Sequence, residues 1–350
     1  MIYVNGRFLT QDITGVQRFS EEIIKELYKL RDDVIVLVPD MNSIKRIPHE
    51  FEIIELKGGR GHYWEQVTLP RFLKKNNKPF LLNLCSTAPA FYKNQIVTHH
   101  DITYVRYPNS YSWKFRLFYR ILAPLMMRNC IKLVTVSDFS KKEIIEHYNI
   151  PESKVLVIYN GVGEEFSYVG AINTSSGHEN YALAVSSPNE HKNFLGMIKA
   201  FSATKGDVKL KIIGSASRSF NSMDFSAEKD PRIEFLGRVT DSELINLYQN
   251  AKYFIFPSFY EGFGIPPLEA QACGCPVVSS DRASLKEVLK DSALFFDPTK
   301  ISEMIKALEA IDSDNNMRKE LVEKGIKNMR RFSWQMSAEK LNSEINAYTA

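Results

Sequence analysis

Short runs of β-branched and other apolar residues alternate with amphipathic stretches along almost the whole chain. The alternation stops at a polar, turn-rich stretch from Gly161 to Asn180 and then starts again. Strands that alternate with helices form parallel sheets with right-handed crossovers. The sequence therefore predicts two α/β domains, each with a doubly wound parallel sheet. The candidate strands are 2–4, 34–38, 51–56, 80–84, 96–99, 133–136 and 155–159, then 181–186, 208–214, 233–237, 253–258, 276–280 and 293–297.

The predicted domains are residues 1–165 and 166–333, followed by a C-terminal helix at 334–350. A length of 350 residues suits two hydrophobic cores better than one. In doubly wound sheets, ligands bind beyond the carboxyl ends of the strands, near the point where the strand order reverses. Candidate functional residues are therefore sought directly after the strands.

Composition excludes several classes of protein. The chain has 45 basic and 41 acidic residues, a net charge of +4, which is well below that of a dedicated nucleic-acid binder. Four scattered cysteines lack the spacing of zinc or redox pairs. The start has no signal-peptide pattern, and the longest apolar run, 117–127, is too short to span a bilayer. We expect a reduced, cytoplasmic protein with no nucleic-acid partner.

The segment 257–280 leaves a predicted strand, makes a glycine-containing turn, and enters a helix near Pro266 or Pro267. Free backbone N–H groups and the helix dipole at such a helix start can hold a diphosphate. Glu261 lies on the turn, and Glu269 lies eight residues later, inside the helix. The alternative is that Glu269 is a solvated helix residue and that the glycines only form a turn.

The string PSFYEGFGIPPLEAQACGCPVV resembles the E-x7-E signature of the retaining glycosyltransferases of family four. The resemblance implies the GT-B fold, in which two Rossmann-like domains face each other across a cleft and the last helix crosses back to the first domain. It implies that Glu269 binds the donor ribose and that Glu261 lies against the donor sugar. Lys192, in AVSSPNEHKNF, resembles the lysine that neutralises the leaving diphosphate.

One departure from the family pattern follows the strand at 181–186. Many relatives have an arginine where this chain has Ser187, and Arg238, after another strand, is the candidate for a compensating charge. The alternative is that the backbone near Val239 only frames the base. The donor-site residues implied by the resemblance are Gly15, Ser187, Lys192, Arg238, Val239, Gly262, Phe263, Gly264, Ile265 and Glu269.

Two motifs in the first half fit the same family. Gly15, in TGVQRF, resembles a loop that approaches the donor phosphate, where a residue without a side chain is needed. His99, His100 and Asp101 end a predicted strand and form the candidate acceptor side. Metal binding is disfavoured because adjacent residues at a strand end point in opposite directions. In the family pattern His100 corresponds to the histidine near the transferred sugar; the alternative is a structural histidine.

The resemblance implies transfer of a hexose from a nucleotide-sugar donor to a glycan or lipid-linked acceptor, with retention at the anomeric carbon. Glu261, His100 and Lys192 are the candidate catalytic residues. No metal or other cofactor is expected, because the resemblance implies that Lys192 and helix N-termini take the place of a divalent ion. The motifs resemble most those of bacterial mannosyltransferases of surface-polysaccharide synthesis, which implies GDP-mannose.

Other interpretations stay open at this point. A glucosyltransferase or rhamnosyltransferase would use a UDP-sugar or a dTDP-sugar. A GT-B epimerase, or a non-catalytic partner that binds a nucleotide sugar, would use the same fold for another purpose. These classes are separated by whether transfer, hydrolysis or an epimerised donor is observed.

The segment 106–132 contains six basic residues and no acidic one. Six aromatic residues are interleaved with them: Tyr107, Tyr111, Trp113, Phe115, Phe118 and Tyr119. This composition indicates a peripheral membrane contact, at the inner face of the cytoplasmic membrane. The alternative is an ordinary helix that buries Leu117, Ile121 and Leu125 in the first domain and leaves its basic residues in solvent.

Overall fold

The structure is a computed structural model that describes residues 1–46, 51–166, 179–185, 187, 189–214 and 230–349. Most of the predicted linker, Gly161 to Asn180, lies at 167–178, outside the described residues. The chain divides into two compact units. Unit 1 comprises Met1–Val105, Tyr111–Gly161 and Ser333–Ala350, and unit 2 comprises Arg106–Ser110 and Val162–Phe332. Relative to the predicted ranges, the main difference is that Arg106–Ser110 belongs to unit 2.

Unit 1 contains a parallel sheet of seven strands in the order β3-β2-β1-β4-β5-β6-β7. The order reverses between β1 and β4, which are hydrogen-bonded neighbours. Apart from the edge strand at 53–55, which is largely exposed, the strands are almost fully buried because helices cover both faces of such a sheet. They are β1 (Ile2–Asn5), β2 (Val34–Val38), β3 (Ile53–Glu55), β4 (Phe80–Asn83), β5 (Gln95–Thr98), β6 (Lys132–Thr135) and β7 (Val155–Val157).

The helices of unit 1 connect these strands. A π-helical turn, Trp64–Thr68, joins the helices at 61–63 and 69–75. The last residue of the helix at 103–106, Arg106, belongs to unit 2. They are α1 (Gly15–Leu30), α2 (Gly61–Tyr63), α3 (Leu69–Lys75), α4 (Thr103–Arg106), α5 (Trp113–Asn129), α6 (Asp138–Tyr148) and the C-terminal α13 (Trp334–Thr349).

Unit 2 contains a parallel sheet of six strands in the order β10-β9-β8-β11-β12-β13, which reverses between β8 and β11. The strands are β8 (Tyr181–Val185), β9 (Lys209–Ile213), β10 (Ile233–Gly237), β11 (Tyr253–Phe256), β12 (Val277–Ser280) and β13 (Ala293–Phe296). The described helices are α7 (Phe194–Ala203), α8 (Asp241–Asn250), α9 (Ile265–Ala272), α10 (Leu285–Leu289), α11 (Ile301–Ser313) and α12 (Asn315–Met329).

The C-terminal helix α13 completes unit 1 by packing against α1. The Trp334 and Phe19 rings meet edge to face with centroids 5.9 Å apart. At the other end, Arg31 Nη1 donates to Asn342 Oδ1 at 2.9 Å. The buried face of α1 includes Phe19, Ile23 and Leu27, as the helical spacing predicts, whereas Leu30 is exposed at the helix end. The last residues of the chain therefore belong to the core of the first domain.

Every predicted strand is present, shifted by at most two residues at its ends, and the predicted fold class is confirmed. Among the described residues, no helix is both long and apolar enough to cross a membrane. Nor does the described part of the chain hold a group of three or more His, Cys, Asp or Glu side chains that could bind a metal ion.

Candidate active site

In unit 2 the sheet reverses between β8 and β11, so the loops that follow these two strands diverge and leave a crevice at their carboxyl ends. The loop after β8 contains Lys192, and the loop after β11 contains Glu261. The two predicted catalytic residues of this unit are thus delivered to the same place by the strand order. Nothing in their separation of 69 residues along the chain requires this.

Lys192 and Glu261 form an ion pair in this crevice, in which the ammonium group contacts both carboxylate oxygens. Lys192 Nζ lies 2.8 Å from Glu261 Oε1 and 2.9 Å from Oε2. The Lys192 side chain is 25% exposed and that of Glu261 is 11% exposed, so the pair is sheltered but open to a ligand on one side. The ammonium group also lies 5.9 Å from the centre of the Phe256 ring, at the end of β11.

The loop that carries Lys192 is fixed to the rest of unit 2 by Asn193. This residue adopts a left-handed conformation, φ 49° and ψ 38°, which asparagine tolerates better than most residues. Its buried amide Nδ2 donates to Pro257 O at 3.2 Å and to Pro298 O at 3.1 Å. The two loops are also joined directly, because Phe259 N donates to His191 O at 2.8 Å.

The turn after Glu261 leads into α9, as predicted, and its shape depends on Gly264. This residue has φ 97°, and an added Cβ would lie 2.7 Å from Leu285 Cδ2. The Ser284 hydroxyl lies 2.9 Å from Glu261 O and 3.0 Å from Phe263 O, so it ties the turn to the start of α10. The helix begins at Ile265, with prolines in its first turn. Because proline has no N–H, an anion here would meet the Ile265 N–H and the positive end of the helix dipole, not a full set of first-turn donors.

Glu269 lies inside α9 and is only 8% exposed. Its Oε2 accepts a hydrogen bond from the Tyr248 hydroxyl at 3.4 Å. Burial, followed by the neighbouring Glu269 charge, raises the pKa of Tyr248 well above its ordinary value, so the hydroxyl stays protonated and donates. This contact excludes the alternative of a solvated helix residue.

Other predicted donor residues occupy separate places in unit 2. Arg238 is exposed, and with Val239 it lines a recess of about 510 Å³ between the end of β10 and α8. Ser187 follows β8, and its Oγ accepts from Asn189 Nδ2 at 3.2 Å.

In unit 1 a pocket of about 320 Å³ lies at the corresponding reversal, between β1 and β4. Loops after β1, β4 and β5 form its polar side, and the aromatic residues of 104–119 form the opposite side. It is lined by Arg7, Gln11, Thr14, Val16, Gln17, Cys85, Ser86, His100, Asp101, Tyr104, Tyr111, Phe115 and Tyr119. Gly15 itself lies between two lining residues, at the first position of α1.

His100 and Asp101 reach this pocket together. His100 Nε2 must donate to Leu84 O, 3.0 Å away, because a carbonyl oxygen only accepts. Burial lowers the pKa of His100, so the ring is neutral with Nδ1 as its acceptor. Asp101 Oδ1 accepts from Thr103 N and Oγ1, at 2.8 and 2.6 Å, which orients its carboxylate.

His99 lies outside the pocket, contrary to its expected place on the acceptor side. Its side chain is fully buried, with Nδ1 donating to Ser86 O at 3.2 Å and Nε2 accepting from Tyr104 Oη at 3.0 Å. Burial lowers the pKa of His99 to about 4, which keeps the ring neutral. Consecutive strand residues point in opposite directions, so only one histidine of the pair faces the pocket.

A buried polar network behind the pocket was missed by sequence reasoning. Arg7 Nε donates to Glu65 Oε1 at 3.1 Å, and Asn5 and Thr87 donate to the same oxygen. Burial alone would raise the pKa of Glu65, but Arg7, His62 and Asn5 outweigh it and hold the pKa at about 2. The pair therefore links a residue of the pocket lining, Arg7, to a fully buried carboxylate. The signal in the sequence was a glutamate directly after Trp64, in the segment YWEQVTL at 63–69.

The aromatic wall changes the interpretation of the 106–132 segment. Tyr111, Phe115 and Tyr119 are spaced four apart, so they share one face. Successive rings stack at centroid distances of 4.9 and 4.3 Å. These three residues line the pocket, so a membrane contact through this segment would use its other side chains.

Comparison with known proteins agrees with this geometry. The family model described as glycosyltransferase family 4 matches residues 13–166, and the model described as glycosyl transferases group 1 matches residues 171–328. Together they cover most of both units and all the predicted site motifs. The chain belongs to the family-four glycosyltransferases, as the resemblance implied.

Two curated relatives are O-antigen enzymes. The chain is 34% identical to the O-antigen chain mannosyltransferase RfbU of Salmonella typhimurium, over 67% of this chain and 65% of that protein. It is 29% identical to the O-antigen chain mannosyltransferase B of Escherichia coli, over 96% of both chains. The matched part is thus slightly less than two thirds of the first relative and nearly all of the second.

A solved structure shows the fold. The glycosyltransferase WaaG, involved in lipopolysaccharide biosynthesis, superposes with a TM-score of 0.74 at 16% identity, over 97% of this chain and 98% of WaaG. The predicted GT-B fold is confirmed.

We predict that Glu269→Gln weakens nucleotide binding and leaves the fold intact, because the amide keeps the Tyr248 contact but loses the charge that would accept from ribose hydroxyls. The expected loss is on the order of 1.5–3 kcal/mol, measured by calorimetry with GDP. Glu323→Gln, at an exposed position on α12, is the matched control. Equal GDP affinity in the two variants would remove Glu269 from the donor site.

Proposed function

We propose that this chain transfers mannose from GDP-mannose to a glycan or lipid-linked acceptor during assembly of a bacterial surface polysaccharide, with retention at the anomeric carbon. The observation that carries the proposal is the Lys192–Glu261 pair at the reversal of the unit 2 sheet, beside the N-terminus of α9. Mannose is favoured because RfbU and the O-antigen chain mannosyltransferase B are both named mannosyltransferases.

The proposed reaction breaks the bond between the anomeric carbon and the diphosphate, which keeps the bonding electrons and gains a negative charge. A new bond forms from that carbon to the oxygen of an acceptor hydroxyl, whose proton passes to the departing diphosphate or to solvent. The α9 N-terminus and the Lys192 ammonium group are the positive groups near Glu261 that can stabilise this charge. A diphosphate at this place would compete with Glu261 for Lys192. Glu261 thus holds the lysine in position before the donor binds, and is then available to the hydroxyls of the sugar.

The pocket of unit 1 is the proposed acceptor side. It offers a carboxylate at Asp101, a neutral imidazole at His100 and a stacked aromatic wall. Carbohydrates present both hydroxyls and apolar C–H faces, and the two sides of this pocket suit these two kinds of surface. His100 Nδ1 is the candidate contact to the transferred sugar or to the attacking hydroxyl.

The donor assay tests the proposal as a whole. At a concentration about 100 times its Kd, a nucleotide that binds only the native state stabilises it by about 2.7 kcal/mol, which raises the Tm by a few degrees. We expect GDP to raise the Tm more than UDP, dTDP or ADP, and mannose transfer from GDP-mannose to octyl α-mannoside to continue in excess EDTA.

Each competing interpretation has its own outcome in this assay. Stabilisation by UDP or dTDP would replace the mannosyl proposal with a glucosyl or rhamnosyl one. An epimerised donor would identify an epimerase, and nucleotide binding without transfer or hydrolysis would identify a non-catalytic partner. Loss of transfer in EDTA that Mg²⁺ or Mn²⁺ restores would contradict the proposed metal independence.

Lys192→Ala should lower kcat about a hundredfold while GDP affinity falls less than about tenfold, because the lysine charge matters most as the diphosphate departs. Initial rates with GDP-mannose, together with calorimetry, separate the two effects. Lys199→Ala, an exposed lysine on α7, is the control and should change neither value. If the whole loss appears in GDP affinity, Lys192 only binds the donor.

The outer face of α5 supports a peripheral membrane contact. Trp113, Leu117 and Ile121 are 62%, 50% and 59% exposed and lie in one stripe, while Leu122 and Met126 face the core. The alternative that buried Leu117 and Ile121 is therefore wrong. Exposed basic residues flank this apolar stripe, namely Lys114, Arg120 and Arg128. We propose that α5 docks on an anionic leaflet, where a lipid-linked acceptor would be found.

The combined variant Lys114, Arg116, Arg120 and Arg128→Gln should bind vesicles of phosphatidylglycerol and phosphatidylcholine at least about tenfold more weakly, since each basic residue contributes roughly 1 kcal/mol near an anionic surface. Co-sedimentation at low and high salt measures this. The control changes four exposed lysines of unit 2 to Gln and so carries the same charge: Lys199, Lys290, Lys306 and Lys327. Equal binding by both variants would rule out docking through α5.

A further inference from the structure

The segment Arg106–Ser110 leaves unit 1 and packs within unit 2, although the residues on both sides of it belong to unit 1. It contains the end of α4 and a tight turn, in which Ser110 N donates to Tyr107 O at 3.1 Å. Five residues cannot form a core of their own. Their place is therefore set by what they contact in unit 2.

Tyr107 contacts both loops of the donor site. Its ring lies nearly parallel to that of Phe259, at an interplanar angle of 4° and a centroid distance of 6.5 Å. Its centroid lies 5.9 Å from that of Tyr260 and 6.1 Å from that of His191. Burial among these groups raises the pKa of Tyr107.

Ser110 makes the second contact. Its Oγ lies 3.0 Å from Nδ1 of His191, which is itself only 6% exposed. The His191 carbonyl in turn accepts from Phe259 N, so one residue joins the segment to both loops. His191 directly precedes Lys192, and Tyr260 directly precedes Glu261.

We propose that Arg106–Ser110 is a positioning element for the donor site and that Tyr107 is its main positioning residue. By packing on the residues that precede Lys192 and Glu261, it fixes the backbone from which both charged side chains extend. Transfer is sensitive to such placement, because a displacement of about 1 Å can cost about a hundredfold in rate. The consequence for turnover rests on the proposed function; the effect on the loops does not.

Hydrogen exchange of the full chain tests the structural part. Tyr107→Ala should speed exchange of peptides covering 189–194 and 257–264 about tenfold, with the Phe259 amide as the direct reporter, while a peptide covering β12 stays unchanged. Tyr107→Phe keeps the ring and should behave as wild type. Ser110→Ala should loosen the 189–194 peptide through His191. Unchanged exchange in both Tyr107→Ala and Ser110→Ala would overturn the proposal.

Kinetics with GDP-mannose and octyl α-mannoside test the consequence. Tyr107→Ala should lower kcat about tenfold with GDP affinity within about threefold of wild type, and Tyr107→Phe should restore kcat. In the Lys192→Ala background the same change should cost clearly less than in the wild type, because part of the effect acts through Lys192. Additive losses would show that Tyr107 does not act through this lysine. Absence of transfer by the wild type would refute the proposed function, and the exchange result would still decide the role of the segment.

Discussion

Parallel pairing of every strand is the constraint on which both units depend. A parallel ladder needs a crossover between successive strands, so all carboxyl ends meet at one edge of each sheet. Where the strand order reverses, the connections that follow the two neighbouring strands lead in opposite directions. They leave a crevice at that edge of the sheet. The pocket with Asp101 opens at one such reversal, and the pair formed by Lys192 and Glu261 lies at the other. Neither place needs a specialised element beyond the loops themselves.

The ion pairs Arg7–Glu65 and Lys192–Glu261 have different environments and therefore different uses. Glu65 is fully enclosed, and its carboxylate is satisfied by Arg7 and neighbouring donors, so it stays charged and fixed. Glu261 keeps one side toward solvent, and its lysine partner can be shared with an incoming anion. An anionic ligand can replace Glu261 as the partner of Lys192 without leaving an unpaired charge in the core. Separation of Arg7 from Glu65 would leave such a charge.

Much of the fold follows from sequence periodicity. Continuous apolar runs such as 34–38 and 253–258 are expected only in strands of a sheet that is buried on both faces. The E-x7-E string also placed Glu261 and Glu269 on the elements where they lie. Rotation of a helix about its axis was harder to infer. In α5, aromatic, aliphatic and core residues occupy three faces at similar spacing, and composition alone did not separate Tyr119 from Leu117. Long-range partners such as Arg7 and Glu65 left almost no local signal.

Helix α13 has a consequence for how the protein is made. Helix α1 lacks part of its packing partner until Trp334 contacts Phe19. The sequence between these two residues includes the whole of unit 2. During synthesis one side of α1 therefore stays exposed until α13 leaves the ribosome. Unit 2 has no such requirement beyond its own stretch and the short segment at 106–110. The domain that is translated first is thus the last to finish folding. Deletion of α13 would therefore destabilise the first domain and not the second.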